Sequence, residues 1–176
     1  MVMAAVRSRN FWFLGLFLLL FVGAGEEISW GQRLLGIDTP EDLKKLNVQG
    51  EITLHNLEIF NRENFDKSVK TGWEKILTIN TLYRLFILCF GVILPIIVIF
   101  SSRIKGLAKA VYIPVPRLSI SIFFLFAWIV FRILNVYYIT ANEFFAAEEI
   151  FECLTAWVWL AIGIDFWVTK GEQNSN

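Results

Sequence analysis

Four long apolar runs constrain the fold of this chain more than any other feature. They cover residues 11–30, 79–101, 118–138 and 149–169, and about 20 mainly apolar residues are enough for a helix to cross a bilayer. Hydrophobic residues make up 56% of the 176-residue chain, which is high for a soluble domain. The sequence therefore predicts an all-α polytopic membrane protein. We expect a single membrane domain, built as a four-transmembrane-helix bundle with a folded, helical outer loop at residues 31–78.

Basic residues stand beside most of the predicted span ends. They precede the first span, separate the second from the third and follow the fourth: Arg7, Arg9, Arg103, Lys105, Lys109, Arg117 and Lys170. The loop at residues 139–148 instead carries Glu143 and Glu148 and no basic residue. Since basic loops stay on the cytoplasmic side of a membrane, we predict that both termini are cytoplasmic. Residues 31–78 and 139–148 would then face outward from a bacterial inner membrane.

Two of the runs contain irregular features. The small residues at 23–25, after a basic start, resemble the end of a cleavable signal peptide. The helical pattern continues past them through Glu26, which favours a membrane span. In the second run, Pro95 predicts a kink, because proline lacks the N–H that a helix uses.

The outer loop contains two segments with helical patterns. In the first, Thr39 stands at an N-cap position, Pro40 falls in the first turn and Gly50 lies beyond the end. The second segment carries four polar residues whose spacing places them on one face of a helix: Glu51, His55, Glu58 and Arg62. This stripe is either a solvated face of a helix lying on the membrane or a face that binds a ligand.

Charged residues inside the apolar runs give the clearest indication of a site. A helix rises about 1.5 Å per residue, and on this count charges from all four spans reach a similar depth near the outer face. Charge in hydrocarbon is costly and is usually paired or functional, so we expect Arg84 and Arg132 to contact two or more span carboxylates. The predicted charge layer comprises Glu26, Glu27, Arg33, Arg84, Arg132, Glu149 and Glu152. It either fixes helix register or lines a water-accessible pocket.

Residues 25–57 contain two distinctive blocks. The first is GEEISWGQR, from Gly25 to Arg33, and the second is LHN, at residues 54–56. They resemble a functionally uncharacterised group of bacterial multi-pass membrane proteins that share an EExSWGQR block and a downstream LHN block. The resemblance implies no activity. It agrees with the selection from the residues themselves of one unit that comprises Glu26, Glu27, Arg33, Glu51, His55 and Asn56.

Three functions are compatible with these features. The first is a small accessory or interaction subunit that docks with a membrane-protein partner or forms an oligomer, surrounded by lipid. The formal net charge of zero does not favour nucleic acid as a partner.

The second function is a membrane-embedded, metal-dependent enzyme acting on a lipid or lipid-linked substrate. The candidate metal ligands are Glu51, His55 and Glu58, which would suit zinc, iron or manganese. Glu26 and Glu27 would be the candidate catalytic residues. A single histidine in the whole chain weakens this hypothesis.

The third function is a cation or proton carrier that uses the buried acids. The inner halves of the spans are apolar, so no polar path continues to the cytoplasmic side. The sequence therefore does not establish whether the protein is an enzyme.

Overall fold

The chain folds into helices joined by one long irregular segment. A computed structural model describes residues 10–139 and 144–173. Its helices are α1 (Phe11–Glu27), α2 (Gln32–Leu35), α3 (Glu41–Lys44), α4 (Gly72–Ile76), α5 (Ile79–Phe100), α6 (Ser102–Ala110), α7 (Leu118–Ile139) and α8 (Phe144–Gln173). This part of the chain has no β-strand and only two isolated bridges. The predicted all-α class is confirmed. Arg7, Arg9 and Glu143 lie outside the described residues, as does the side chain of Lys170.

Three of the helices are long and apolar enough to cross a membrane. These candidate spans are Ile79–Phe100, Leu118–Tyr137 and Ala147–Val168, close to the second, third and fourth predicted runs. A fourth candidate is a bent pair, in which Phe11–Glu27 and Ser29–Leu35 meet at 62°. By length and composition, these helices are compatible with a helical multi-pass membrane protein with three spans, or four if the bent pair is one span. The membrane and the orientation of the termini stay predictions.

The bend after α1 comes from three consecutive residues in the left-handed backbone region. Ser29, Trp30 and Gly31 have φ angles of +48°, +51° and +76°. Only glycine adopts this region without strain, so the packing around Ser29 and Trp30 must hold them there. The Trp30 ring folds back over Gly25, where a Cβ atom would lie 2.7 Å from the ring. It also meets the ring of Phe21 edge-on at 6.0 Å.

Helix α5 accommodates its proline by widening. Residues Ile87–Ile93 form a π-helical stretch directly before Pro95, and the helix then continues to Phe100. A wider turn is a usual response to a missing backbone donor. Gly91 in this stretch lies against Phe124 of α7, whose ring would be 2.5 Å from a Cβ atom at Gly91.

The chain divides into two compact units. The motif unit is Leu16–Phe86, and the helical unit comprises Met1–Gly15 and Ile87–Asn176. The helical unit buries apolar side chains, among them Phe13, Ile87, Phe124, Phe151 and Ile162. Aromatic rings meet edge-on within it, with ring centroids 5.2 Å apart for Phe13 and Phe166 and 5.3 Å apart for Phe124 and Trp159.

Polar contacts join several chain segments at one end of the helical unit. Asn10 Nδ2 donates to the carbonyl of Tyr112 at 2.8 Å, and Trp12 Nε1 donates to the carbonyl of Val111 at 2.7 Å. Arg117 Nε lies 2.9 Å from Asp165 Oδ1. The start of α1, the segment after α6, the residue before α7 and the second half of α8 therefore meet. These segments are the ones that the basic residues assign to the cytoplasmic side.

The motif unit contains little regular structure between α3 and α4. The predicted helix at residues 51–62 is wrong: this segment consists of turns and a single bridge between Asn47 and Leu57. It also bonds to residues outside itself: the Asn56 carbonyl accepts from Val48 N–H at 2.8 Å, and Glu58 N–H donates to the Leu46 carbonyl at 2.9 Å. Within the loop that the sequence predicts to be helical, the helices are the short α2, α3 and α4.

The predicted helix after Thr39 exists, but it is short and begins differently. Helix α3 follows Pro40 and has no side-chain cap at its start. The Thr39 hydroxyl instead donates to the carbonyl of Gly50 at 2.7 Å. Thr39 therefore links two parts of the loop rather than capping its own helix.

Candidate functional site

The carboxylate of Glu26 organises one half of the motif unit. Glu26 lies in the last turn of α1 and is 8% exposed. Its Oε1 accepts from the indole Nε1 of Trp30 at 2.7 Å. Its Oε2 accepts from the backbone N–H groups of Leu54 at 2.6 Å and His55 at 3.0 Å. The same oxygen lies 3.3 Å from Nδ1 of His55. Both carboxylate oxygens are therefore engaged with Trp30 and the LHN block.

Glu51 plays the reciprocal part in the other half. Its Oε2 accepts from the Ser29 hydroxyl at 2.7 Å, and its Oε1 accepts from Arg33 Nε at 2.9 Å and from Arg33 Nη2. Burial raises the pKa of the Glu51 carboxyl, but the hydrogen bonds from Arg33 and Ser29 and the charge of Arg33 outweigh burial. The pKa of Glu51 is therefore held below its usual value.

Gln32 and Thr39 join the bend to the segment that follows Gly50. Gln32 Nε2 donates to the Thr39 hydroxyl at 2.6 Å, and Gln32 Oε1 accepts from the backbone N–H of Ile52 at 2.7 Å. The Thr39 hydroxyl in turn donates a hydrogen bond to the Gly50 carbonyl. The side-chain amide of Gln32 thus bonds to the segments on either side of α3, at Thr39 and at Ile52.

Asn47 shapes the turn that presents Glu51. Its Oδ1 accepts from the backbone N–H groups of Gln49 at 3.0 Å and Glu51 at 3.2 Å. Its Nδ2 donates to the carbonyl of Thr53 at 2.9 Å. Asparagine side chains commonly replace backbone partners in turns, and here Asn47 does so while only 2% exposed.

Polar side chains form the interior of the motif unit. Its buried polar residues are Glu26, Ser29, Thr39, Asn47, Thr53, Asn56, Lys70 and Thr78. Across residues 16–86, all of which the structure describes, Leu16 is the one apolar side chain that reaches the same degree of burial. Large apolar side chains are instead exposed, including Leu34, Leu35, Leu46, Leu54, Ile59 and Trp73. Leu34 is 88% exposed and Trp73 is 83% exposed.

The network includes several predicted site residues and leaves others out. Glu26, Arg33, Glu51 and His55 belong to it, and Asn56 Nδ2 approaches Glu51 Oε2 at 3.5 Å. The neighbouring Glu27 is exposed, and its side chain makes no hydrogen bond to any residue that the structure describes.

The predicted charge layer is distributed over both units. Arg84 is half-buried in the motif unit. In the helical unit, Arg132 and Glu149 are exposed and Glu152 is half-buried. The hydrogen bonds of Glu26 come from Trp30, Leu54 and His55 rather than from an arginine. The pairing of Arg84 and Arg132 with span carboxylates stays a prediction.

The three candidate metal ligands have separate partners. Glu51 bonds to Arg33 and His55 lies beside Glu26, whereas Glu58 Oε1 accepts from the backbone of Phe65 at 3.4 Å. Among residues 10–139 and 144–173, no three His, Cys, Asp or Glu side chains are grouped so that they could hold a metal ion. The shared helical face that suggested this ligand set does not form.

An open cavity of about 300 Å³ lies beside Glu58. It is lined by Glu58, Ile59, Asn64, Lys70, Glu74 and Leu77. Neither of the candidate catalytic residues, Glu26 and Glu27, borders it.

The sequence interpretation assigns no place in the site to several residues whose side chains form much of the hydrogen-bond network. Gln32, Thr39, Asn47 and Thr53 follow no helical or strand period, and Trp30 resembles an ordinary aromatic of the membrane interface. Trp30 and Gln32 belong to the first block, whereas Thr39, Asn47 and Thr53 lie between the two blocks. Comparison with known proteins adds no relative, because no protein-family model, curated protein or solved structure matches the chain. The resemblance of residues 25–57 to a bacterial family stays a prediction.

Proposed function

We propose that this chain is a small integral-membrane interaction subunit whose motif unit binds a membrane-protein partner. One observation supports the proposal above the others: several polar side chains of the motif unit are buried, whereas many of its large apolar side chains are exposed. A protein surface in water normally has the opposite arrangement, and contiguous exposed apolar area often marks an interaction site. The exposed apolar residues of the motif unit are the candidate contact surface.

The hydrogen-bond network suits a docking surface because it fixes the shape of an otherwise irregular loop. Glu26, Asn47 and Glu51 each hold two or more groups in place. A surface that is ordered before binding loses less conformational entropy when the partner arrives. Trp73 and the exposed leucines provide the aromatic and aliphatic area that typically anchors a protein interface.

The same network makes acid–base catalysis by the candidate carboxylates a less suitable interpretation. A catalytic acid or base needs to reach a proton on the substrate, whereas both oxygens of Glu26 and of Glu51 already accept hydrogen bonds. Glu27 is exposed, and its side chain makes no hydrogen bond to a residue that the structure describes. The geometry therefore supports a structural use of the carboxylates.

Photo-crosslinking in native membranes tests the proposal. A photoreactive amino acid would replace Leu46, Leu54 or Ile59, each of which is exposed and apolar. Lys67, which is exposed and polar, provides a matched position in the same unit. We expect the apolar positions to give one protein adduct of defined mass, and Lys67 to give none or far less.

A second measurement examines the native size of the assembly. Blue-native electrophoresis in mild detergent should show a complex larger than the 20.3 kDa chain. The Leu54→Asn, Ile59→Asn double variant should shift it toward the single chain, and Lys67→Gln should not. Crosslinks to lipid alone, or equal protein crosslinks at Lys67, would overturn the proposal.

A further inference from the structure

Helix α6, which the sequence interpretation does not predict, connects two candidate membrane spans. It begins two residues after Phe100, the last residue of one candidate span, and is followed by the span that begins at Leu118. Both of its connections are short. If α5 and α7 cross the membrane, α6 has to lie near one bilayer surface.

The charges on this segment all have one sign. Residues 101–117 contain four basic residues and no acidic one. Arg117 is engaged by Asp165, whereas Arg103, Lys105 and Lys109 are exposed. Lys105 and Lys109 are four residues apart on a helix, so their side chains project from the same face.

Apolar side chains of α6 lie between the basic ones. On a helical projection, Leu107, Ile104 and Ala108 form a continuous arc, with Arg103 on one flank and Lys105 on the other. Ala108 is buried and Ile104 is half-buried, whereas Leu107 is 55% exposed. The arc thus packs against the protein on one side and continues into an exposed apolar edge.

Both ends of α6 are held in place by side chains. The Ser101 hydroxyl caps the start by accepting from the backbone N–H of Ile104 at 3.3 Å. The helix ends at Ala110, and Tyr112, two residues later, has a φ of +57° in the left-handed region. The carbonyls of Val111 and Tyr112 accept from Trp12 and Asn10 of the α1 segment. The basic residues are therefore carried on a fixed helix rather than on a free loop.

We propose that α6 is a binding site for anionic phospholipid headgroups. Arg103, Lys105 and Lys109 would contact the phosphates, and Leu107 would enter the acyl boundary between them. A basic helix with an apolar arc binds anionic membrane surfaces through both parts at once. Long basic side chains reach headgroups while their methylene stems cover apolar surface. The connection of α6 to two candidate spans favours lipid over a soluble acidic partner.

Native mass spectrometry of the detergent-purified chain tests this proposal. The protein would be titrated with phosphatidylglycerol and with phosphatidylcholine of the same acyl chains. We expect preferential retention of phosphatidylglycerol. Each basic residue near an anionic surface contributes about a fivefold change in affinity. The Arg103→Gln, Lys105→Gln, Lys109→Gln variant should therefore lose phosphatidylglycerol affinity by up to about a hundredfold and bind phosphatidylcholine as before.

A matched control removes the same charge elsewhere. The Lys44→Gln, Lys45→Gln, Lys67→Gln variant changes three lysines of the motif unit that lie outside α6 and should keep the preference. Raising the salt concentration on the unmodified protein should weaken phosphatidylglycerol binding selectively, a result that does not depend on the folding of any variant. An unmodified chain that binds the two lipids equally would overturn the proposal, and so would an equal loss in the two triple variants. Recovery of an acidic protein instead, with no lipid preference, would assign the surface to a different partner.

Discussion

The two units of this chain differ in the side chains that they bury. The buried side chains of the helical unit are mostly apolar, with Ser121, Glu148 and Thr155 as polar exceptions. Those of the motif unit are mostly asparagine, threonine, serine and glutamate, with Leu16 as an apolar exception. Apolar packing is non-directional and permits some repacking. A hydrogen-bond network is directional, and each buried group needs its partner. The motif unit should therefore be the more sensitive of the two to single polar substitutions.

The difference follows from where each unit satisfies its backbone. The long helices bond their N–H and carbonyl groups internally, so their side chains are available for packing. Where Thr155 of α8 is buried, its hydroxyl donates to Phe151 of the same helix at 2.9 Å. The loop of the motif unit has no such ladder between residues 45 and 71. Glu26, Gln32 and Asn47 instead supply the missing acceptors.

The largest expected effect is that of Glu26→Leu, which removes the acceptor for Trp30 and for two backbone donors. Each buried donor that is left without its acceptor costs about 1–3 kcal/mol, and less where water can replace the carboxylate. We expect faster hydrogen exchange across residues 47–57, with the helical unit little changed. Glu27→Leu is the matched control, since Glu27 is exposed. Equal effects of the two substitutions would break the comparison.

A pair of glycine substitutions compares the interiors directly. Gly25→Ala would place a Cβ atom 2.7 Å from the Trp30 ring, and Gly91→Ala would place one 2.5 Å from the Phe124 ring. Overpacking of this kind costs about 1–3 kcal/mol. We expect Gly25→Ala to increase exchange in the motif unit and Gly91→Ala to increase it in the helical unit.

The controls for this pair are Gly23→Ala and Gly15→Ala. Apart from the backbone of its own helix, a Cβ atom added at either glycine would meet no atom of the described residues within 4 Å. Both glycines are helical, so alanine should be neutral or slightly stabilising there. If Gly25→Ala behaved like Gly23→Ala, the packing of Trp30 over α1 would not be what fixes the bend.

Trp30→Phe sharpens the comparison by separating the ring from its polar atom. Phenylalanine keeps an aromatic ring over Gly25 but removes the indole donor to Glu26. The loss of one hydrogen bond to a charged group should destabilise the motif unit by about 1.5–3 kcal/mol at most, reduced where water reaches the carboxylate. Hydrogen exchange at Leu54 and His55 gives the measurement. No change there would mean that the ring alone matters.

The smallest expected effect is the pH dependence associated with Glu51. Because the pKa of Glu51 in the folded chain lies below its usual value of 4.5, its stabilising contribution is complete above that pH. The contribution is lost as the pH falls through the lowered pKa. Arg33 is largely exposed, so the contribution should be about 1 kcal/mol or less.

Thermal denaturation in detergent at neutral pH and near pH 4 measures this contribution. The Glu51→Gln variant should show a smaller loss of stability on acidification than the unmodified chain. Glu41→Gln, which changes an exposed carboxylate, should leave the pH dependence as it was. A Glu51→Gln variant with an unchanged pH dependence would remove Glu51 from the set of titrating groups that stabilise the unit.

The apolar spans are predictable from the sequence because their signal is local. Long apolar runs identify membrane-type helices wherever they occur, and α5, α7 and α8 lie close to the predicted ranges. The bend after Glu27 is not predictable in this way, since it depends on Trp30 packing on Gly25 and on partners more than twenty residues away. Helix α6 is not predicted, because its basic residues are used in the sequence analysis only to predict the orientation of the spans in the membrane.

The hydrogen-bond network of the motif unit is predictable only in part, and for a physical reason. Glu26, Arg33, Glu51 and His55 stand out together in the sequence because charged groups near a membrane need partners, and the network contains all four. The predicted arrangement is wrong for residues 51–62, where the spacing indicates a helix but the backbone forms turns and several of its N–H groups bond to side chains outside the segment. A helical spacing of four polar residues is weak evidence for a helix when the backbone between them can form hydrogen bonds to other partners.

The network from Glu26 to Asn56 also has a consequence for the order in which the protein assembles. All of its side-chain bonds lie within one continuous stretch, which ends before α5 begins. A chain emerging from the ribosome could therefore close this network before the second span is made, since nearby contacts form with little loop-closure entropy. The helical unit has to wait, because Asn10 and Trp12 bond to partners 102 and 99 residues away. The hydrogen-bond network would thus form before the later candidate spans are synthesised.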